Sequence, residues 1–269
     1  MSGISVERNG AAATLWLNRP ERHNAFDDAL IGELSHALAE LAGDASVLVV
    51  LLAGRGKSFS AGADLAWMKR MAGYTLAENE ADAQAMAEML HRLESLPKPT
   101  IALVQGAAMG GGVGLVAACD IALAAEDAQF ALSEVRLGLI PAAISPYVIA
   151  AIGPRAARRY FLTAERFDAR QAMALGLVSA VVPVAELAAE GARLADLLGQ
   201  NGPVAMAEAK RLIADVTGRP IDAALRAETA RRIARQRAGA EGREGVAAFL
   251  EKRKPVWPKP VWSKADKPS

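Results

Sequence analysis

Residues Pro99–Asp120 read PTIALVQGAAMGGGVGLVAACD, and this stretch predicts the central elements of the fold. Its apolar run, which ends at Gly106, predicts a strand over 100–105. The glycines Gly110–Gly112 follow, and then comes a short, apolar segment compatible with a helix. Because glycine has no Cβ, its backbone can approach another group closely. The stretch therefore predicts a strand, a turn of bare main chain and a helix.

Strand and helix patterns alternate on both sides of this stretch, which predicts an α/β fold with a substantial parallel component. We place a core over 1–200 and a helical region over 201–269, with a hinge at Gly202 and Pro203. The predicted strands flank the turn at Asn9 and Gly10, cover 46–53 and 100–105, and occur twice within 121–132. The predicted helices cover 27–41, 65–71, 81–95, 145–163, 168–174, 184–199, 203–216, 221–238 and 242–253.

Composition limits the class of protein. Of the 269 residues, 52% are hydrophobic and the formal net charge is +1, so the chain can bury a large core and carries no field that selects nucleic acid. Cys119 is the only cysteine, which excludes an internal disulfide framework. The N-terminus lacks a signal pattern, and the apolar run 45–54 is too short to span a bilayer. We expect a cytoplasmic protein without membrane or nucleic-acid partners.

Several familiar chemistries find weak support. His23, His36 and His91 are far apart and lack companions at metal spacing, so we expect no metal site. No serine stands in a nucleophile-elbow motif. The segment 112–117 matches the loose dinucleotide pattern G-x-G-x-x-A, but it falls after residue 100, and Glu134 is the only acid near the required position. An NAD-linked oxidoreductase is therefore the weakest alternative.

Two loops of small residues suggest a different chemistry. The segment FSAGADL (59–65) and Gly110–Gly112 each stand between a predicted strand and a predicted helix. The first N–H groups of a helix have no partner within the helix and point outward. Two such donors that converge on one oxygen form an oxyanion hole. The alternative is that both segments are merely tight strand-to-helix turns.

Four motifs resemble the enoyl-CoA hydratase/isomerase (crotonase) family, in the same order and over nearly the whole chain. They are NRPERHNAF, KSFSAGADL, AAMGGGVGLVAACDIALAAEDAQFALSEVRLGLIP and EGVAAFLEKRKP. The resemblance implies the crotonase (ClpP-like) fold, a spiral of ββα units with an α-helical C-terminal trimerisation region. It also implies an acyl-CoA substrate, a homotrimer or homohexamer, and no cofactor, because coenzyme A is part of the substrate.

The resemblance assigns the catalytic groups. The backbone N–H groups of Ala63 and Gly111 are expected to hold the thioester oxygen, and Glu134 is expected to transfer protons. Family hydratases generally use a second glutamate, whose position here is Gly114. We expect this missing side chain to leave room for water or for a branched or polar acyl group, and to remove half of the acid–base equipment.

The remaining family positions are expected to bind substrate. Ala142 N–H is expected to hold the water, and Trp67, Met68 and Ile144 to line the acyl pocket. The other predicted substrate-binding residues lie beside the oxyanion turns, at the nucleotide end or at the adenine end of CoA: Arg22, Asn24, Ala61, Asp64, Leu65, Gly110, Gly114, Phe249 and Lys252.

A narrower resemblance suggests the acyl group. The segments AGADLAWMKRMA and SEVRLGLIPAAISPYV are similar to those of bacterial methylglutaconyl-CoA hydratase-like members of leucine degradation. We therefore expect a hydro-lyase that adds water to, or removes it from, an α,β-unsaturated acyl-CoA such as 3-methylglutaconyl-CoA. The alternatives are a Δ3,Δ2-enoyl-CoA isomerase that uses Glu134 alone and a non-catalytic acyl-CoA binder.

Overall fold

Nine strands form two sheets in the part of the chain that this computed structural model describes, residues 2–260 and 262. The larger sheet has the order β1-β2-β3-β4-β6-β9, and the smaller has the order β5-β7-β8. Only β1 is antiparallel to its neighbour in the larger sheet. The strands are β1 (Ile4–Asn9), β2 (Ala12–Leu17), β3 (Val49–Gly54), β4 (Thr100–Val104), β5 (Ala107–Met109), β6 (Ile121–Ala125), β7 (Gln129–Ala131), β8 (Phe167–Asp168) and β9 (Ala180–Val182).

The helices follow the predicted pattern, with shifts at their ends. The largest shift is in α3, which begins five residues before the predicted start because Thr75 and Glu78 form a reciprocal capping box. The α-helices are α1 (Asp28–Gly43), α2 (Leu65–Met71), α3 (Leu76–Glu94), α4 (Gly111–Ala118), α5 (Ser145–Thr163), α6 (Ala169–Leu175), α7 (Leu187–Gly199), α8 (Pro203–Val216), α9 (Ala223–Ala238) and α10 (Ala240–Leu250).

The larger sheet is covered on both faces, as its mainly parallel pairing requires. Every residue of β3 is buried. Val50 and Leu52 join the main core with α1, α3 and α4, whereas Val49 and Leu51 join a second core closed by α7. Strands buried on both faces give continuous apolar runs, which is why the sequence shows no alternation here.

A second layer of short strands lies at the carboxyl ends of the larger sheet. Strand β4 leads through Gln105 and Gly106 into β5 and then α4, and β6 leads into β7 and, after a 3₁₀ turn at Glu134–Leu137, into α5. This recurrence is the predicted ββα arrangement. The sequence pattern did not predict β5, β8 and β9, which have only two or three residues each.

The predicted hinge at Gly202 and Pro203 is packed against α10. Glu241, buried to 6% exposure, accepts hydrogen bonds from Val204 N–H at 3.0 Å and Ala205 N–H at 2.6 Å. These are free donors of the first turn of α8, so a carboxylate from α10 caps a helix distant in sequence.

None of the helices described is both long and apolar enough to cross a membrane.

We predict that Glu241→Ala lowers the free energy of unfolding by about 1–2 kcal/mol, because it leaves the first turn of α8 uncapped. Urea unfolding followed by circular dichroism measures this loss. Glu241→Gln keeps an acceptor oxygen and should lose less. Equal stability of all three proteins would show that the cap contributes nothing.

Candidate active site

A parallel backbone bridge aligns the two predicted oxyanion turns. Ser60 N–H donates to Ala107 C=O at 2.9 Å, and Met109 N–H donates to Ser60 C=O at 2.9 Å. Ser60 and Ala108 are thereby in register. Ala63 lies three residues beyond Ser60, and Gly111 lies three residues beyond Ala108. The shared offset brings both turns to one edge of the second layer.

The N–H groups of Ala63 and Gly111 have no acceptor among the described residues. Around Ala63, Phe26 N–H donates to Gly62 C=O and Asp64 N–H donates to Phe26 C=O, both at 2.7 Å. This bridge turns Ala63 N–H away from Phe26. Gly111 is the first residue of α4, where an N–H has no partner within the helix. Both predicted donors are free to bind a ligand oxygen.

Ala63, Gly111 and Glu134 line the same cavity, of about 200 Å³. Apart from Glu134, the lining side chains are apolar. The lining consists of Phe26, Ala63, Trp67, Met71, Met86, Gly111, Glu134, Ile140, Pro141, Ala142, Ala143 and Ile144. Two amide donors and one carboxyl in an apolar cavity can polarise a carbonyl and move a proton beside it.

Glu134 opens the 3₁₀ turn after β7, and its carboxyl reaches back to the glycine turn. A Cβ built on Gly110 would lie 3.0 Å from Glu134 Oε1, and Gly110 has φ +50°. The backbone conformation therefore favours glycine at 110, and a side chain there would crowd the Glu134 carboxyl. Gly110 shapes the site by leaving room for Glu134.

The electrostatics of Glu134 suit proton transfer. Burial raises the pKa of its carboxyl, and a hydrogen bond to its own backbone offsets this only in part. Its Oε2 is buried and has no hydrogen-bond partner among the described residues. An unpartnered buried carboxyl oxygen with a raised pKa is typical of a general acid–base group.

The expectation of free space at Gly114 is wrong. A Cβ at this position would lie 2.2 Å from Ile144 Cγ2 and 2.8 Å from Ile144 Cβ. Ile144 is 3% exposed and fills the volume that a second carboxylate would need. The space beside Gly114 is therefore filled by hydrocarbon, which leaves no room there for water or a polar acyl group.

The expected role of Ala142 also changes. Ala142 lines the cavity, but its N–H already donates to Ile140 C=O at 2.8 Å. The next two amides, those of Ala143 and Ile144, have no acceptor among the described residues, and both residues line the same cavity. These two amides, one and two residues later than predicted, can bind a polar ligand atom.

Asp64 fixes the turn that carries Ala63. Its carboxylate caps α2 by accepting from Ala66 N–H at 2.8 Å and Trp67 N–H at 3.2 Å, and Arg22 donates to it at 3.2 Å. Burial raises the pKa of Asp64, but these hydrogen bonds outweigh burial and hold the pKa below its ordinary value. Asp64 is a charged structural cap adjacent to the oxyanion donor.

Asn24 has a structural role in place of the predicted contact with CoA. It is fully buried, and its side chain donates to the C=O groups of Arg55 and Ser58 and accepts from Arg19 N–H. These bonds tie the loop before α1 to the loop after β3. No donor of its side chain remains for a ligand.

The other predicted substrate-binding residues lie outside the cavity lining. Ala61 is exposed and donates through its N–H to His23 C=O, Leu65 is 83% exposed, and Met68 is half-buried. Phe249, 82% exposed, and Lys252 lie at the end of α10, which packs against α8 and α9. The structure does not bring these last two residues to Glu134 within one chain.

Sequence reasoning missed two methionines of the cavity. Met71 lies one helical turn beyond Trp67 on α2, so helical spacing could have found it. Met86 is on α3, and its Cε lies 2.9 Å from a Cβ built on Gly111. No local signal pairs Met86 with Gly111, because the contact exists only in the folded chain.

Comparisons with known proteins find relatives over nearly the whole chain. The family model described as Enoyl-CoA hydratase/isomerase matches residues 7–260. The 2,3-dehydroadipyl-CoA hydratase of Escherichia coli is 36% identical over 95% of this chain and 98% of its own length. The crotonyl-CoA hydratase of Syntrophomonas wolfei is 33% identical over 93% of this chain and 96% of its own.

A solved structure supports the fold directly. The crystal structure of an enoyl-CoA hydratase from Shewanella pealeana superposes with a TM-score of 0.93 and 46% identity, over 95% of this chain and 96% of that one. The predicted crotonase fold is therefore confirmed.

We predict that Gly114→Ala lowers the free energy of unfolding by about 1–3 kcal/mol, because the added methyl overpacks against Ile144. In an Ile144→Ala background the loss should shrink by at least about 0.5 kcal/mol, measured as a double-mutant cycle in urea. Gly32→Ala is the matched control, since Gly32 is a helical glycine with open space at its Cβ. Strict additivity of the two changes would contradict the contact.

We also predict that Glu134 makes stability depend on pH. Its pKa is raised above the ordinary 4.5 on folding, so between the two values the folded chain holds a proton that the unfolded chain has lost. The unfolding free energy of the wild type therefore falls as pH rises through this window. The stability of Glu134→Gln relative to wild type should rise with pH and then level off. A difference that stays constant from about pH 4 to about pH 8 would exclude the burial effect.

Proposed function

The chain belongs to the enoyl-CoA hydratase/isomerase family, and we propose that it hydrates the double bond of an α,β-unsaturated acyl-CoA or catalyses the reverse dehydration. The observation that carries this proposal is the single cavity lined by Ala63, Gly111 and Glu134, in which the N–H groups of Ala63 and Gly111 have no acceptor among the described residues. Relatives named as hydratases over nearly their whole length support the same reaction.

The two amides stabilise the charge that the reaction creates. Attack of water at the β-carbon moves negative charge onto the thioester oxygen, and the N–H groups of Ala63 and Gly111 receive it. Fixed donors need no reorganisation during the reaction, and loss of one such donor typically costs about 3 kcal/mol of transition-state stabilisation. The neutral thioester oxygen of the substrate is stabilised less by the same two donors than the charged oxygen is. The donors therefore bind the transition state more tightly than the substrate.

Glu134 performs both proton transfers in this proposal. Its carboxylate takes a proton from water while the water oxygen bonds to the β-carbon, and the π electrons pass to the enolate. The protonated Glu134 then gives that proton to the α-carbon, which restores the thioester carbonyl and the carboxylate. Ile144 occupies the place of a second acid, so one carboxyl serves for both steps.

The acyl group remains a prediction. The relatives differ in the substrate they are named for, dehydroadipyl-CoA in one case and crotonyl-CoA in another. Glu134 is the only charged residue among those that line the cavity. A carboxylated acyl group such as 3-methylglutaconyl would therefore place its charge at the open side of the cavity, since a buried carboxylate without a partner is costly.

The second candidate function is Δ3,Δ2-enoyl-CoA isomerisation, which the single carboxyl favours. One base that removes a proton from carbon 2 and returns it to carbon 4 needs no water and no second acid. Substrate panels separate the two reactions. Hydration removes the ultraviolet absorbance of a conjugated 2-enoyl-CoA, whereas isomerisation of a 3-enoyl-CoA creates it.

The predicted assembly is also part of this proposal. The helical region exposes large apolar side chains, among them Ile213 at 67% and Val246 at 58%. Exposed apolar surface of this kind is typical of contact surfaces. We propose a homotrimer or homohexamer in which these helices meet.

We predict that Glu134→Gln lowers kcat for hydration by about 10²–10⁴-fold, because glutamine keeps the shape and loses the proton transfer. The assay follows the loss of enoyl absorbance with crotonyl-CoA and confirms the added water by product mass. Calorimetry should show nearly unchanged binding of the saturated analogue butyryl-CoA.

Glu165→Gln is a suitable control, because Glu165 is paired with Arg159 away from the cavity. Wild-type turnover that survives in Glu134→Gln would remove Glu134 from the mechanism. A wild type that binds butyryl-CoA without transforming any 2-enoyl or 3-enoyl substrate would favour the non-catalytic binder.

A further inference from the structure

One hydrogen bond links the wall of the acyl cavity to a carboxylate outside it. The indole Nε1–H of Trp67 donates to Asp82 Oδ1 at 3.2 Å. Trp67 is 7% exposed and borders the cavity, whereas Asp82 is half-buried on α3 and does not line it. A buried indole N–H needs a partner, and Asp82 supplies it.

The helix that carries Trp67 is held by apolar packing of Trp67 and Met71 and by a few polar contacts. It spans only seven residues, begins directly after the oxyanion turn and is capped by Asp64. Near its end, Arg70 pairs with Asp28 on α1 at 2.5 Å across an exposed surface, a type of contact that contributes little. The hydrogen bond between Trp67 and Asp82 links α2 to α3 and is partly shielded from solvent.

Asp82 has no other hydrogen bond or ion pair among the described residues. Burial raises the pKa of its carboxyl, and the Trp67 hydrogen bond opposes that rise. The charges that act on Asp82 are those of Asp28, which raises its pKa, and Arg70, which lowers it. Loss of the Trp67 hydrogen bond would leave the half-buried Asp82 carboxylate without a hydrogen-bond partner among the described residues.

The side chains that line the cavity differ in their conformational freedom. Ile144 is branched at Cβ and packs closely against α4 at Gly114. Met86 and Met71 have unbranched, flexible side chains. Of the cavity residues on α2 and α3, which are Trp67, Met71 and Met86, Trp67 has the largest side chain and is fixed by a hydrogen bond to Asp82.

We propose that Asp82 is a positioning residue that holds the Trp67 ring against the acyl cavity and thereby limits the length of the acyl chain. This inference rests on the proposed function, since it concerns the acyl group of an enoyl-CoA. Asp82 touches neither the thioester nor the reacting carbons. Its influence passes through the indole alone.

The experiment compares Asp82→Ala with wild type on straight 2-enoyl-CoAs of four to ten carbons. The ratio of kcat/KM for the eight-carbon to the four-carbon substrate should rise at least about fivefold, because the freed ring lets α2 and α3 separate. The change should appear mainly in KM, since the oxyanion donors and Glu134 are untouched. Asp82→Asn keeps an acceptor oxygen and should restore the wild-type ratio.

Two controls isolate the hydrogen bond. Glu80→Ala removes an exposed carboxylate from the same helix and should leave the ratio unchanged. Trp67→Phe removes the donor, so adding Asp82→Ala to it should cause no further change. A shift of equal size in Glu80→Ala, or a full Asp82→Ala effect in the Trp67→Phe background, would overturn the proposal.

A spectroscopic readout separates this proposal from the proposed function. The indole ¹⁵N–¹H resonance of Trp67, assigned by its loss in Trp67→Phe, should move in Asp82→Ala and stay in place in Glu80→Ala. If the wild type transforms no enoyl-CoA, the proposed function fails whatever this resonance does. If the wild type is active and neither the resonance nor the length ratio moves in Asp82→Ala, the positioning role fails alone.

Discussion

The site depends on the parallel pairing of Ser60 with Ala108. This short bridge places the turn that ends at Ala63 and the turn that begins α4 at the same offset from paired residues. Two N–H groups from loops about fifty residues apart can converge only if such a register fixes them. The proposed stabilisation of a thioester oxyanion is thus a consequence of strand pairing in the second layer.

Side-chain volume then decides which acid–base chemistry fits beside these amides. Gly110 leaves room for the Glu134 carboxyl, and Gly114 leaves room for Ile144. The two glycines are only four residues apart, yet one lies beside a carboxyl group and the other beside an aliphatic side chain. A closely packed interior cannot hold both Ile144 and a second carboxylate in this volume. The proposed use of one carboxyl for two proton transfers follows from this packing.

Two carboxyls near the cavity have opposite electrostatic environments. Asp64 accepts helix N–H groups and a guanidinium, which keep its pKa low and its charge permanent. Glu134 is buried without such partners, and its pKa is raised. Both groups are carboxylic acids, so their different environments account for their different roles. Asp64 stabilises the turn and α2, and Glu134 is proposed to transfer protons. The proposed link from Asp82 to Trp67 adds a third carboxyl that acts only through position.

The sequence by itself determined the alternation of strands and helices, the free amides after two strands and the family, since these follow from local periodicity, small residues and ordered motifs. It therefore predicted Ala63, Gly111 and Glu134 as neighbours. Only the tertiary structure decided that Ile144 fills the space at Gly114, that Asn24 is a structural tie and that Met86 contacts Gly111. These outcomes depend on distances between elements remote in the chain, and side-chain pattern carries no information about which remote atoms share one volume.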